Sequence, residues 1–503
     1  MEYDLVLVNP LLQFETGNNY VEYLGFSYIA AYLRKKGYLV KIIDIYLEGI
    51  SLEECAERLK DINSKVIGFT SMSSIYIENI NTIISMLDKG KRIYVVGGIY
   101  ATQNYEQILK KVCDLDFVFL GEGEKTWATF LHNLDHGIRL ETIKGIAYRH
   151  GDNVYCTGMS DFLTQEEMLN LPRPEHDTLE ISLKRDGIAQ IATSRGCYGN
   201  CSFCAISNYY KEAPECRWRY YNMETCIDEL EYLVNHYHVK YVDFCDEEFI
   251  GPHTKKNFLR LDYFVEEIKR RKIKVQYMIY CRANDIEEAL FTRLKESGLN
   301  RVFLGIEFGN NDLLYRYHKG TNVDINIRAI QVLEKLGINI SVGYIMFEPF
   351  MNLKQLKDNF NFYFNYCPFK LDRLSTKMAI FPNTRLYEET KEMLGLDKVV
   401  WDFILGDYYD YKFKDLKVEI MFQIMLDLKE VLSKSQSYYK VKKGSKNQNE
   451  YAANFSKWKR ELHNKIIRTI ESLDEMRETN PDYVEFKEKL KKDITIWDNT
   501  YLL

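Results

Sequence analysis

Apolar residues in the first part of the chain come in short dense runs rather than in stripes. Leu5-Val6-Leu7-Val8, Lys41-Ile42-Ile43-Asp44-Ile45, Val66-Ile67-Gly68-Phe69, Ile93-Tyr94-Val95-Val96 and Phe117-Val118-Phe119-Leu120 carry apolar side chains on both faces of an extended segment, as strands buried on both sides must. Between them, segments such as Phe26 to Lys36 and Leu52 to Lys60 are amphipathic at helical spacing. This alternation predicts a doubly wound parallel α/β sheet over residues 1–135. Ligands of such sheets bind beyond the C-terminal strand ends. Thr70-Ser71-Met72-Ser73-Ser74, Gly97-Gly98-Ile99-Tyr100 and Gly121-Glu122-Gly123-Glu124 fall there, and small residues let a large ligand approach the backbone.

The pattern resumes over residues 188–390, with strands expected at Ile188 to Thr193, Val239 to Phe244, Val275 to Tyr280, Arg301 to Glu307, Ile340 to Ile345 and Leu374 to Ile380. Helical segments intervene; Asp324 to Leu336, for example, ends at Gly337 as a helix C-terminus should. Six βα units fall short of the eight that close a full barrel. Residues 136–187, with Leu171-Pro172-Arg173-Pro174, read as a linker. Past 390 the strand pattern fades. Val418, Phe422, Met425, Leu428 and Leu432, then Trp458, Leu462, Ile466, Ile470 and Leu473, recur at helical spacing, so residues 391–503 are expected to be a helical extension whose stripes face a core. The polar run from Ser433 to Asn454 is expected to loop out.

Composition narrows the class. A chain of 503 residues implies about three domains. Hydrophobic residues at 46%, charged residues at 28% and only 9 prolines describe packed rather than disordered protein. A net charge of −6 and a pI near 6.0 lack the basic footprint of a nucleic-acid binder. No apolar run approaches the roughly 18 residues of a membrane span. The acidic start Met1-Glu2-Tyr3-Asp4 runs straight into a strand and is no secretory signal, so a cytoplasmic protein is expected. The 11 cysteines, odd in number and scattered, suit free thiols in a reducing compartment.

Three of those cysteines carry chemistry. In Thr193-Ser194-Arg195-Gly196-Cys197-Tyr198-Gly199-Asn200-Cys201-Ser202-Phe203-Cys204, the spacing C-x3-C-x2-C brings three thiolates from one loop. A [4Fe-4S] cubane takes four ligands, so three protein thiolates leave one iron open for a small molecule. A structural zinc site wants four protein ligands, usually as two separated pairs, which this run does not supply.

With an aromatic residue, Phe203, directly before the third cysteine, the run resembles the cluster motif of radical S-adenosylmethionine (radical SAM) enzymes. The resemblance implies SAM chelated to the open iron and cleaved by one electron to a 5′-deoxyadenosyl radical, with a reductant such as flavodoxin or ferredoxin as partner. It extends over 188–390 as the family's partial (β/α)6 barrel. Residues Asp246 and Glu247, Arg282, and Glu307 match the family's acidic turn after strand two, its strand-three arginine and its G-I-E-x-G motif. Together with Phe203 they are expected around SAM, whose ammonium, hydroxyl and carboxylate groups suit such partners. Any one of them could instead only staple strand ends. Met346 and Phe347 stand where relatives often carry another glycine. Asn383 replaces the glycine of a P-G-T-x-L-Y run, a change the turn survives because Asn tolerates left-handed backbone. Cys245 and Cys281, near strand ends, read as packing residues or as hydrogen-atom donors.

The N-terminal region is similar to the Rossmann- or flavodoxin-like cobalamin-binding domain of one radical SAM class. Asn9-Pro10, the stretch Leu24 to Leu33, Gly97-Gly98 and Gly121-Glu122-Gly123-Glu124 carry that likeness. It implies cobalamin contacts at Thr70, Ser71, Met72, Ser73, Gly97, Gly98, Gly121, Glu122 and Gly123. No D-x-H-x-x-G sequence precedes residue 135, so cobalamin bound without a histidine ligand is expected. The other reading is a flavodoxin-like domain with a different ligand or none.

The resemblance implies a cobalamin-dependent radical SAM enzyme that methylates a carbon or phosphorus centre of a peptide or small natural-product intermediate. Relatives that use both cofactors for ring contraction, cyclisation or oxidation keep a second route open. Methylthiolation of transfer RNA would need three further cluster cysteines in an N-terminal domain, a setting Cys55, Cys113 and Cys156 do not offer. An iron–sulfur binding module would leave the carboxylates and arginine unexplained.

Overall fold

The chain is described by a computed structural model that covers residues 2–12, 20–213, 217–402, 405–441 and 448–476, with isolated positions between 486 and 495. The apolar runs of the N-terminal region form β1 (Leu5–Asn9), β2 (Val40–Asp44), β3 (Val66–Thr70), β4 (Ile93–Gly97) and β5 (Phe117–Phe119). They alternate with α1 (Leu24–Arg34), α2 (Leu52–Asp61), α3 (Ser74–Ser85), α4 (Ile99–Lys111) and α5 (Gly123–Asp135). Both strand faces are covered, as the dense runs require. Leu5 and Leu7 enter one core with Val66, Val95 and Trp127, while Val6 and Val8 enter another with Ile67, Phe69 and Val96.

The sheet runs on past residue 135. Strands β6 (Ile146–His150) and β7 (Asn153–Cys156) lie in the stretch expected as linker, and they extend the parallel strands antiparallel in the order β2-β1-β3-β4-β5-β6-β7. Their sequence alternates weakly, because only the start of β6 is buried and β7 is a solvent-facing edge.

The second parallel sheet contains β8 (Ala189–Ile191). A two-stranded antiparallel ribbon follows, β9 (Ser194–Arg195) with β10 (Arg219–Tyr220), in which Arg195 lies directly opposite Arg219. Then come α6 (Met223–His236), β11 (Tyr241–Phe244), α7 (Lys255–Arg270), β12 (Gln276–Arg282), α8 (Glu288–Glu296), β13 (Leu299–Glu307), α9 (Val323–Lys335), β14 (Asn339–Tyr344) and α10 (Leu353–Tyr366). The order β8-β11-β12-β13-β14 is that of a parallel barrel wall with helices outside.

The sixth expected strand, Leu374 to Ile380, is reduced to a 3-10 turn at Leu371–Ser375 and single bridges at Lys377 and Ile380. A short main-chain ladder joins it to the chain just past β14, from the Phe347 N–H to the Thr376 carbonyl at 2.9 Å and from the Met378 N–H to the Phe347 carbonyl at 2.8 Å. The Thr376 hydroxyl adds to it, accepting from the Met346 N–H at 3.0 Å and donating to the Tyr344 carbonyl at 3.0 Å. Asn383 does adopt the left-handed conformation, at φ 59°.

Beyond the barrel, α11 (Arg385–Leu394) is followed by a β-hairpin, β15 (Val399–Asp402) with β16 (Gly406–Tyr409), where helix alone was expected. Its strand residues are β-branched and aromatic, and Gly406 turns at φ 76°. Helices α12 (Leu416–Val441) and α13 (Gln448–Glu475) then run through most of the polar stretch that was expected to loop out; residues 442–447 of it lie outside the described residues. A docked helix propagates into polar sequence at little cost once its nucleus is held. The expected stripes of both helices are buried in the core they share with the barrel, and Lys417 Nζ meets the Asp474 carbonyl at 2.8 Å, so the two are antiparallel. Among the described residues, no helix is long and apolar enough to cross a membrane.

Candidate active site

The loop Cys197 to Cys204 leaves the β9–β10 ribbon and sits over the C-terminal end of β12. Cys201 is buried, while Cys197 and Cys204 are partly open. The Arg282 guanidinium lies 3.6 Å from Cys201 Sγ, and a Cβ on residue 199 would come within 2.4 Å of it, which is why glycine stands there. Burial pushes the Cys197 thiol up to about 12 and raises that of Cys204. Coordination to iron removes such protons outright.

The donor set fits a cubane better than a single ion. Its three thiolates come from one loop, enough for three irons of a cubane and one short of the four protein ligands of a structural zinc site. Arg282 and the buried ammonium of Lys319 bring positive charge against that thiolate set.

The expected SAM residues surround this loop with different occupations. Glu307 ends β13 at a register shift, at φ 65°, and its carboxylate takes a hydrogen bond from Lys319 Nζ at 3.0 Å. Asp246 is buried. One of its oxygens accepts from the Thr193 N–H at 3.0 Å, the Thr193 hydroxyl at 2.8 Å and the Ser194 hydroxyl at 2.5 Å, and the other has no partner. It therefore staples β8 to the turn after β11. Glu247 accepts from the Gly196 N–H at 3.0 Å and opens onto the interdomain cavity, and the surrounding burial raises its carboxyl. Phe203 packs edge-on to Tyr317 at 6.2 Å. Of the two strand-end cysteines, Cys245 faces the cavity and Cys281 is buried in the core.

Residues not expected from the sequence complete the surroundings. Lys319 hides in the basic-looking run Arg316-Tyr317-His318-Lys319-Gly320, which reads as solvated surface. Glu248, fully buried, accepts from the backbone N–H groups of Arg282 and Ile250 at 3.0 Å each. Asp285 accepts from the Tyr198 hydroxyl at 2.5 Å and pairs with His253 at 2.8 Å, which anchors the cluster loop from beneath.

The cavity lies between the strand ends of the N-terminal sheet and the β9–β10 ribbon. Seven of the nine expected cobalamin contacts line it: Thr70, Met72, Gly97, Gly98, Gly121, Glu122 and Gly123. Ser71 and Ser73 turn away. The Ser71 hydroxyl donates to the Ser73 carbonyl at 3.2 Å, and the Ser73 hydroxyl accepts from Trp401 Nε1 at 2.9 Å. The Glu122 carboxylate is held by Arg219 at 2.8 Å and by the Leu163 N–H at 2.7 Å; burial works against its charge, but Arg195 and Arg219 outweigh that and lower its pKa.

Gly98 takes φ 103° with Ser71 O only 2.5 Å from where a Cβ would stand, so no other residue fits. A Cβ on Gly97 would meet nothing nearer than 3.8 Å and would point into the open space, as a cradle for a large planar ligand requires. Aromatic side chains close the far wall: Tyr28, Tyr209, Tyr210 and Tyr221.

A model of the B12 binding domain matches residues 15–131, and one of the radical SAM superfamily matches residues 191–363. The chain is thus a radical SAM enzyme of the kind that carries a B12-binding domain ahead of its barrel, and its cofactors are a [4Fe-4S] cluster, SAM and cobalamin. Curated relatives include an uncharacterized methyltransferase of Pyrococcus horikoshii, 27% identical over 73% of this chain and 77% of that protein. Another is 4′-phospho-dehydrooxetanocin synthase of Priestia megaterium, 28% identical over 74% of this chain but only 51% of that protein. Among solved structures, the cobalamin-dependent SAM radical enzyme OxsB with aqua-cobalamin and SAM bound shares the fold over all of this chain and 81% of its own, with a TM-score of 0.80 and 21% identity.

Proposed function

We propose that the chain transfers a methyl group to a carbon or phosphorus centre of a small-molecule intermediate, inside the cavity between its two cofactor domains. The observation that carries this reading is that the glycine-rich strand ends of one domain and the ribbon leading to Cys197 line one continuous space. The cluster with SAM supplies hydrogen-atom abstraction and cobalamin supplies a transferable methyl group. The chain's own residues bind and shield. Arg282 and Lys319 balance the thiolate charge, and Glu247 and Glu307 offer acceptors to SAM's ammonium or hydroxyl groups. Asp246 holds the turn that carries Glu247, Phe203 packs behind the third thiolate, and the tyrosine wall keeps water from a reactive centre. An acidic one-electron carrier such as flavodoxin or ferredoxin in the cytoplasm would provide the electrons.

A second reading, cyclisation or ring rearrangement without net methylation, draws support from relatives named 4′-phospho-dehydrooxetanocin synthase and anaerobic magnesium-protoporphyrin IX monomethyl ester cyclase. Product mass separates the two: methylation adds one methyl group, and rearrangement adds none.

The cobalamin assignment is tested with Gly97→Val, at a cavity-lining position where an added Cβ would meet nothing nearer than 3.8 Å. Anaerobic absorbance should show near-stoichiometric cobalamin on the wild-type chain and at least a tenfold loss of affinity in the variant, at unchanged thermal stability. Equal cobalamin binding by both proteins would remove the cavity from consideration.

A further inference from the structure

We infer that Arg195 and Arg219, with Glu122 and Glu124, form a positioning element that couples cobalamin occupancy to the cluster loop. This rests on the two-cofactor reading above and adds to it a physical link between the sites. The two arginines face each other across the β9–β10 ribbon, and like charges in that position repel. Two carboxylates from the Gly121–Glu124 segment offset the repulsion. Arg219 meets Glu122 at 2.8 Å, and Arg195 meets Glu122 at 3.3 Å and Glu124 at 2.5 Å. The side chain of Arg219 is fully buried and those of Glu122 and Glu124 are 6% and 3% exposed, so the cluster of charges is shielded from salt and water.

Its geometry joins the two halves of the site. Glu122 and Glu124 belong to the strand-end turn that lines the cobalamin side of the cavity. Arg195 stands two residues before Cys197, and the Gly196 N–H between them is bound to Glu247. Arg195 cannot drift on its own. Its Nε donates to the Tyr221 hydroxyl at 2.6 Å, and the guanidinium lies 5.6 Å and 5.5 Å from the Tyr28 and Tyr221 ring centres. A ligand that shifts the Gly121–Glu124 turn therefore shifts the start of the cluster loop. Packed apolar side chains would hold the two domains at least as firmly. What the bidentate and bridging pairs add is a defined register between them.

The test measures SAM cleavage to 5′-deoxyadenosine, with dithionite as reductant and no substrate, on chain loaded with cluster alone and with cluster plus hydroxocobalamin. The wild type should show a rate that differs roughly fivefold or more between the two states, the lower end of ordinary coupling between sites. The double variant R195M/E124Q removes both contacts of Arg195 without stranding a buried charge, because it leaves Glu122 with Arg219. Compared at matched iron and cobalamin content, both measured on each protein, it should lose that difference. Arg195→Lys, which keeps the charge but not the planar fork, should retain part of it, and it decides the matter should the double variant fail to fold. A wild-type rate indifferent to bound cobalamin, or a variant that keeps the full difference, overturns the coupling and leaves the two-cofactor reading intact. A wild-type chain that binds no cobalamin overturns both.

Discussion

Glu307 is one of the described non-glycine residues whose backbone takes the left-handed conformation. A φ of 65° in a non-glycine residue at a strand end costs on the order of 1 kcal/mol, and such strain persists where a side chain is held for a purpose. Glu307→Gly relieves that strain but leaves the buried Lys319 ammonium without its carboxylate, so thermal stability should fall, and SAM affinity of the cluster-loaded protein should drop at least tenfold by equilibrium dialysis; equal SAM affinity would make Glu307 a structural residue only. The gathering of the three cysteines, Glu247 and Glu307 around one loop was legible because their motifs are local. Lys319 was not, since a lysine beside arginine and histidine reads as surface until a distant glutamate is known to face it. Arg195 was likewise unreadable: it stands inside the most informative run of the sequence, yet its partners are some 70 positions away.

Among the elements, the segment that joins the domains holds a buried charge in an unexpected place. His176, at φ 58°, donates through Nδ1 to Glu22 at 2.7 Å and through Nε2 to Glu229 at 3.1 Å, with all three side chains nearly solvent-free. Burial alone would depress its pKa; the two carboxylates outweigh burial and raise it to about 9 from 6.5. A group raised on folding stabilises fully below its unfolded value and loses that contribution as pH climbs through the folded one. Denaturant midpoints should thus hold up to pH 6.5 and fall between pH 6.5 and about 9, by an amount on the order of 3 kcal/mol, and His176→Gln should flatten that slope. The C-terminal helices make a second case. Trp458 is completely buried against Phe369, so Trp458→Ala should cost about 3–5 kcal/mol in chemical denaturation. Strands buried on both faces and stripes facing a core were legible, because burial writes itself into local spacing. The β6–β7 and β15–β16 hairpins were not, since edge strands are half polar, and the sixth barrel strand was over-read because its first residues wind into a 3-10 turn and only a single bridge on each side pairs the rest.

At the scale of the whole molecule, the order of domains along the chain differs from the order in which the site is completed. The hairpin after the barrel reaches back to the N-terminal sheet: Trp401 Nε1 donates to the Ser73 hydroxyl, and the Asp407 carboxylate takes the N–H and hydroxyl of Ser74 at 2.6 Å each, capping α3 beside the cavity rim. During synthesis the sheet of the B12-binding domain leaves the ribosome before the barrel and folds as a unit. The loop after β3, whose Met72 lines the cavity, is braced by residues made more than 300 positions later. That loop therefore gains its brace late in biosynthesis, only once the barrel and hairpin have emerged, and a nascent or truncated chain that ends within the barrel has the sheet in place with the start of α3 still uncapped.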